Sequence, residues 1–391
     1  MRNFLKNVKQ ARPWLYLSGL LNNWQECLLG SCHYLKLLLE KVPEKTVLLA
    51  EPNAFHGECL PGYVKYFREL GYKVVILCRY ANYKEDPFCR FAEKPTRYCL
   101  TIWGMRKYLR SRKVKEYEYV LLTSARSYMN EYRYYWRYPD FLKMLPEGKC
   151  GVGLIEHEFG AESYGEFWNK QSEDSKYLKE LFEHTFVLTG FSFKNREIPM
   201  LNPHYFGDIK PKQTLSEGKR IFVAVGKISD GTRNYSQLFD ALLNLPDEFD
   251  YEIRVIGSGT LDNVPEKLRS KFNILGRLNF EDMYRNLEEA DFFLPLLDPE
   301  KQKAYLRYCT TGSRQLILGF HLVSLMQKEF ADHYGFSSRN TIVYDINLAG
   351  AVMKALKMTD EEYLRIKVNL EHLGKDVEVI SLKNLQRKLS L

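Results

Sequence analysis

Short apolar runs recur along the chain at intervals that leave room for one amphipathic helix between them. Residues 46–50 (TVLLA) lead into the loop EPNAFHGECLPG, then a helical stretch, YVKYFRELGY, then the β-branched run KVVILCRY. Gly71 stands where that helix should stop, and runs without polar alternation fit strands buried on both faces of a parallel sheet. EYEYVLLTS and CGVGLIEHE predict further strands, and LFEHTFVLTG a passage from helix to strand. Around residues 198–212 (IPMLNPHYFGDIKPK) three prolines appear and periodicity fades, which places a linker there. The alternation then restarts: strand KRIFVAVG, helix YSQLFDALLNL, strand YEIRVIGSG, strand FNILGRL, helix FEDMYRNLEEA, strand DFFLPLL and helix RQLILGF. Strands alternating with helices imply doubly wound parallel sheets.

The expected fold class is therefore α/β, two Rossmann-like doubly wound domains facing across a cleft. The chain of 391 residues exceeds one ordinary core. We place a first domain at 1–205, a second at 206–375, and a closing helix at 376–391 that packs back on the first domain. In open α/β sheets ligands bind at the carboxyl ends of strands, so the cleft is the expected site.

Charge sharpens this picture. The net charge is +8, and the excess sits in residues 1–200, with 31 Lys and Arg against 23 Asp and Glu. Basic residues crowd among aromatics in residues 106–119 and 126–141, a pattern suited to anionic lipid head groups or an anionic acceptor, with a solvated helix face as the plainer alternative. No stretch approaches the ~18 apolar residues of a membrane span, and the first 21 residues lack an export pattern, so the expectation is a cytoplasmic protein, peripheral on the inner face of the membrane. The eight cysteines show no CxxC pair and no zinc spacing, as expected of reduced thiols. HExxH, a strand-end Asp-x-Asp and a Walker turn are missing from the sequence, so no metal is expected.

Candidate chemistry concentrates after the linker. Gly226, Lys227 and Arg233 lie in a loop between a strand and a helix, where backbone N–H groups, a helix terminus and cations can meet a diphosphate; a plain turn with a solvated lysine is the alternative. Gly257 and Gly259 end the next strand. Thr310, Thr311, Gly312 and Ser313 open a helix, as a phosphate-gripping turn or as an ordinary N-cap. Taken in order, strand-end glycines, the Gly276-Arg277 loop, Ala290-Asp291 closing a helix, and Pro295 ending a strand, this half resembles the donor-binding half of GT-B glycosyltransferases over nearly its whole length.

The resemblance implies a nucleotide-sugar donor, a UDP-sugar being one candidate, with Arg277 and Leu278 beside the base and the residue 310–313 turn on the diphosphate. It implies transfer to a glycan or lipid-linked glycan in bacterial surface polysaccharide synthesis. Many retaining members carry two glutamates eight positions apart, but Glu300 is followed at that spacing by Tyr308, which favours inversion. An inverting enzyme needs a base for the acceptor hydroxyl. His56 and Glu58 are the first choice; Glu156, His157 and Glu158 form a second cluster, and a turn or salt-bridge role is the alternative for both. His204, in the linker, fits hinge packing better than the cleft. Two other functions remain open at this point: a nucleotide-sugar epimerase of the same architecture, and a nucleic-acid-binding protein, which the neutral second half disfavours.

Overall fold

The computed structural model describes residues 12–125, 150–157, 172, 175, 179, 182–229, 231–307 and 309–390, with side chains from residue 24 onward. Strands β1 (Thr46–Glu51), β2 (Lys73–Cys78), β3 (Thr96–Cys99), β4 (Tyr119–Ala125), β5 (Gly151–Glu156) and β6 (Thr185–Val187) form one sheet in the order β3-β2-β1-β4-β5-β6. Every pairing in it is parallel. The whole of β1 is buried, with Val47 and Leu49 in one apolar cluster and Leu48 and Ala50 in another. Period-two alternation thus sends successive side chains into cores on opposite faces, which is why the run shows no polar positions.

β7 (Phe191–Phe193) and β8 (Arg196–Ile198) make a small antiparallel pair ahead of the linker. The second sheet holds β9 (Arg220–Val225), β10 (Tyr251–Ile256), β11 (Phe272–Gly276) and β12 (Phe292–Phe293) in the order β11-β10-β9-β12. A parallel bridge from Phe293 to Ser324 joins it to the parallel pair β13 (Leu325–Gln327) and β14 (Ile342–Tyr344). The strand order of the first sheet is thereby repeated. Each sheet reverses its winding beside its first strand, and that switch point opens a crevice at the carboxyl ends.

Some elements differ from the expectation. The helix after the first loop starts at Leu60, inside the segment read as loop, because Pro61 occupies its first turn, where a missing N–H costs nothing. β3, TRYC, is too short and polar to register as a strand. Of the run DFFLPLL only Phe292–Phe293 pairs, and the chain turns at Leu296 with φ 49°.

The closing helix is the end of a longer one. The helix Asp360–Leu389 starts at a capping box between Thr359 and Glu362. Tyr363, Ile366, Leu370 and Val377 belong to the core of the second half, whereas Leu385 belongs to a core of the first. Lys65 pairs with Glu378 at 2.5 Å, Ser381 Oγ accepts from the Asn202 amide at 3.1 Å, and Asn384 donates to the Met200 carbonyl at 2.9 Å. One rigid element therefore ties both halves together. At the other end, the helix Arg12–Leu39 packs along β3: His33 Nδ1 accepts from the Cys99 amide at 2.9 Å, and Leu37 enters the core. Among the described residues no helix is long and apolar enough to cross a membrane.

Candidate functional site

A cleft of about 490 Å³ separates the carboxyl ends of the two sheets, and both halves line it. The second half builds its wall from glycine. A Cβ on Gly257 would lie 1.7 Å from the Gly226 carbonyl oxygen, and one on Gly226, at φ 138°, would lie 2.5 Å from the Arg233 guanidinium. The loops leaving β9 and β10 can stack this closely only without side chains.

That stacking encloses Arg233. Its guanidinium donates to the Val225 carbonyl at 3.0 Å and to the Thr232 carbonyl at 2.8 Å. Among the described residues its Nε has no hydrogen-bond partner and no carboxylate pairs with it. Burial lowers its pKa, and the nearby Tyr305 and Tyr235 oxygens partly offset this. A buried cation without a counter-charge is costly, and an anion in the cleft would repay the cost. Lys227 stands exposed at the rim.

Gly312 and Ser313 also line the cleft, at the start of the helix Gly312–Phe320. Ser313 Oγ is buried and has no hydrogen-bond partner among the described residues. Thr311 caps this helix, its hydroxyl accepting from the Ser313 amide at 3.3 Å. The two threonines of the turn lie away from the main cleft. Thr311 is buried beneath the helix end, and Thr310 lines a narrower crevice, its hydroxyl 2.7 Å from that of Thr189 in the first half. Arg277 and Leu278 border the cleft, and Arg277 reaches across it to Glu85 at 2.5 Å.

The first half contributes the loop after β1. Asn82 holds it by donating to the Asn53 carbonyl at 2.9 Å, and His56 adopts φ 65° at its apex. His56 Nδ1 lies 3.6 Å from Glu58 Oε1. Burial raises the Glu58 pKa, but the adjacent imidazole outweighs it and leaves the carboxyl below its usual range. Both residues line the cleft.

His157, at the end of β5, brings the second cluster to the first. Its ring centroid is 4.3 Å from that of His56, and its Nε2 donates to the Thr123 carbonyl at 2.9 Å, which fixes the proton on that nitrogen. Glu156 is buried beside it in the narrower crevice. Glu158, Tyr308 and the basic stretch 126–141 lie outside the described residues. Glu300 pairs with Lys303 on the surface at 2.7 Å. Among the described residues no three His, Cys, Asp or Glu side chains come together as metal ligands.

His204 packs at the hinge. It is buried, with Nε2 3.0 Å from the Gly374 carbonyl, and burial, with the charge of Arg314, lowers its pKa to about 4.

Sequence reasoning missed Glu51. It ends β1, fully buried, and accepts from the Asn53 amide at 2.7 Å, Thr123 Oγ1 at 2.8 Å and Ser124 Oγ at 2.6 Å. Burial raises its pKa to about 7 against the charge of His56 and these three donors. A carboxylate closing an otherwise apolar strand at the switch point was the available signal.

No protein-family model and no curated protein matches the sequence. Among solved structures, the fold is similar to that of a glycosyltransferase from Rickettsia africae, at a TM-score of 0.57 and 11% identity over 89% of this chain and 98% of that one. A further match, at a TM-score of 0.48 and 10% identity, is Anabaena HepE in complex with UDP, with 89% of this chain and 100% of that one covered. The two-Rossmann architecture of GT-B glycosyltransferases is thus the architecture of this chain.

Proposed function

We propose that this protein is a glycosyltransferase that moves a sugar from a nucleotide-diphosphate sugar to an acceptor hydroxyl with inversion. The observation that carries the reading is the pairing across one cleft of a buried Arg233, which no carboxylate among the described residues partners, and the helix start at Gly312 with an imidazole–carboxylate pair. One wall suits a leaving diphosphate and the other an incoming hydroxyl.

In this reading His56 takes the acceptor O–H proton while the oxygen bonds to the anomeric carbon. The bond from that carbon to the diphosphate oxygen breaks, and its electron pair leaves with the diphosphate. Arg233, Lys227, the Gly312 amide and the Ser313 hydroxyl offset the charge that develops, with Gly226 and Gly257 letting the backbone approach. Glu58 stabilises the imidazolium, and His157 braces the ring. Arg277 and Leu278 face the nucleotide base, whereas Thr310 and Thr311 support the turn from behind. The donor is the only small molecule this scheme requires, and it uses no metal.

The finer reading is that the acceptor is a glycan or lipid-linked glycan of a bacterial surface polysaccharide, reached from the inner face of the cytoplasmic membrane. Its support is the basic, aromatic-rich first half, since aromatic faces stack on sugars and cations suit anionic head groups. The domain division at residues 205 and 375 belongs to the same proposal.

The test is a thermal-shift and calorimetric screen against UDP, GDP, CMP, ADP and their sugars. Selective stabilisation by one nucleotide, together with acceptor-dependent release of its diphosphate, is expected. Conversion of the free nucleotide sugar without an acceptor would replace transfer by epimerisation. Silence toward all four nucleotides would overturn the donor site.

A further inference from the structure

Over residues 24–39 the helix Arg12–Leu39 is packed against the first half on one side and carries a row of apolar residues on the opposite side. Its inner side is occupied: Glu26 binds Arg79, Gly30 sits against the Thr101 backbone, His33 meets Cys99 and Leu37 enters the core. At ~100° per residue these four positions share one face, and Trp24, Leu28, Leu35 and Leu39 fall diametrically opposite. Those four are 64%, 49%, 60% and 85% exposed. They form a stripe about 22 Å long, at ~1.5 Å per residue.

The neighbouring helix Ile102–Leu109 extends this surface. Trp103 is 71% exposed, and the Lys107 ammonium lies 5.2 Å from its ring centre and 5.4 Å from that of Tyr34 on the first helix. Arg106, Lys107, Arg110 and Arg112 are all exposed around that tryptophan. Within residues 24–40 and 102–116 Glu26 is buried against Arg79, and Glu40 and Glu116 are paired with Lys36 and Lys113, which leaves Arg106, Lys107, Arg110, Arg112 and Lys115 in excess. An apolar stripe with tryptophans and an excess of cations beside it has the chemistry of a surface that lies in a bilayer interface.

We infer that the outer face of the helix Arg12–Leu39, with Trp103 and its surrounding cations, docks on an anionic lipid bilayer. A second copy of this chain fits worse, because a two-fold contact through this face would bring like charges together. The inference deepens the peripheral-membrane part of the proposed function and is independent of the donor cleft, so vesicle binding can fail while nucleotide binding stands.

The experiment is co-sedimentation of the full chain with vesicles of phosphatidylcholine alone or mixed with phosphatidylglycerol. Binding should be confined to the mixed vesicles and weaken with added salt, because the electrostatic part is screened. The variant Trp24→Ser/Leu28→Ser/Leu35→Ser should bind at least about tenfold more weakly, as expected when about 1.5–3 kcal/mol of burial is lost per large apolar side chain. The variant Lys107→Gln/Arg110→Gln leaves the stripe intact and should flatten the salt dependence. A blue shift of tryptophan emission on vesicle addition, reduced in Trp24→Ser and lost in Trp24→Ser/Trp103→Ser, locates the contact. Undiminished binding of both combined variants would overturn the proposal, as would a wild type that ignores anionic vesicles. A concentration-dependent dimer that the serine variant abolishes would assign the face to a second copy and overturn it too.

Discussion

Glu51, which closes β1, and Arg233, whose guanidinium binds the last carbonyl of β9, are buried ionisable groups, and each makes a prediction. Glu51 holds its proton up to about pH 7 in the fold, against about 4.5 for an ordinary glutamate. The folded state therefore binds more protons between those values, and stability falls as pH rises from about 4.5 to 7. The loss is about 3 kcal/mol at most, because each pH unit of that interval is worth about 1.36 kcal/mol. Glu51→Gln removes this titration, so the urea midpoint of the wild type relative to that of Glu51→Gln should fall as pH rises over this range, while buried His204, whose pKa is lowered to about 4, raises stability with pH in both proteins alike. Arg233→Ala should weaken nucleotide binding by about 10- to 100-fold in calorimetry, the scale of one or two charge-assisted hydrogen bonds in a buried site. Lys227→Ala should cost less than Arg233→Ala, since an exposed ammonium is already well solvated. Glu58→Gln should leave nucleotide affinity unchanged and lower kcat by about 10²-fold or more; intact turnover would move the assignment to Glu156 and His157.

At the scale of elements, the glycine contact between the loops after β9 and β10 decides the shape of the donor wall. Gly257→Ala places a methyl group 1.7 Å from the Gly226 oxygen, so the two loops must separate and Arg233 loses its packing. A loss of ~3 kcal/mol or more is expected, within the range of severe backbone clashes, and calorimetry would show it as a drop of several degrees in Tm. The order of glycines along the chain was legible, and it supported a ligand-binding half. Which glycines touch was not, because Gly226 and Gly257 come together only through the pairing of β9 with β10. The same holds for the turn at 310–313. Its sequence suits a phosphate grip or an N-cap, and the fold gives the cap to Thr311 while leaving Gly312 and Ser313 at the cleft.

For the whole molecule, the helix Asp360–Leu389 and the Arg277–Glu85 pair are two of the links between the halves, beside those from Arg90 to Glu281 and Glu288 and from Thr189 to Thr310. Leu385 is fully buried in the core of the first half. Leu385→Ala should cost about 2–5 kcal/mol in urea unfolding, as large-to-small core changes do. Glu85→Gln removes a partly exposed pair, so stability should change by less than about 1 kcal/mol. Arg277 is then released, and any effect on nucleotide affinity reads the role of that arginine directly.

What the sequence determined by itself was local and repetitive. Buried parallel strands must be apolar at every position and separated by helices, so two α/β halves, a proline-rich linker and glycines at strand ends could be read from pattern alone. Residues such as Thr96–Cys99 escaped because an edge strand is specified by its neighbour more than by its own side chains. The tertiary structure decided everything that depends on distance between segments: the stacking of His56 on His157, the burial of Arg233 and Glu51, and the division of one helix between two cores. These arise from burial and from pairings between residues remote in sequence, and no local pattern encodes either.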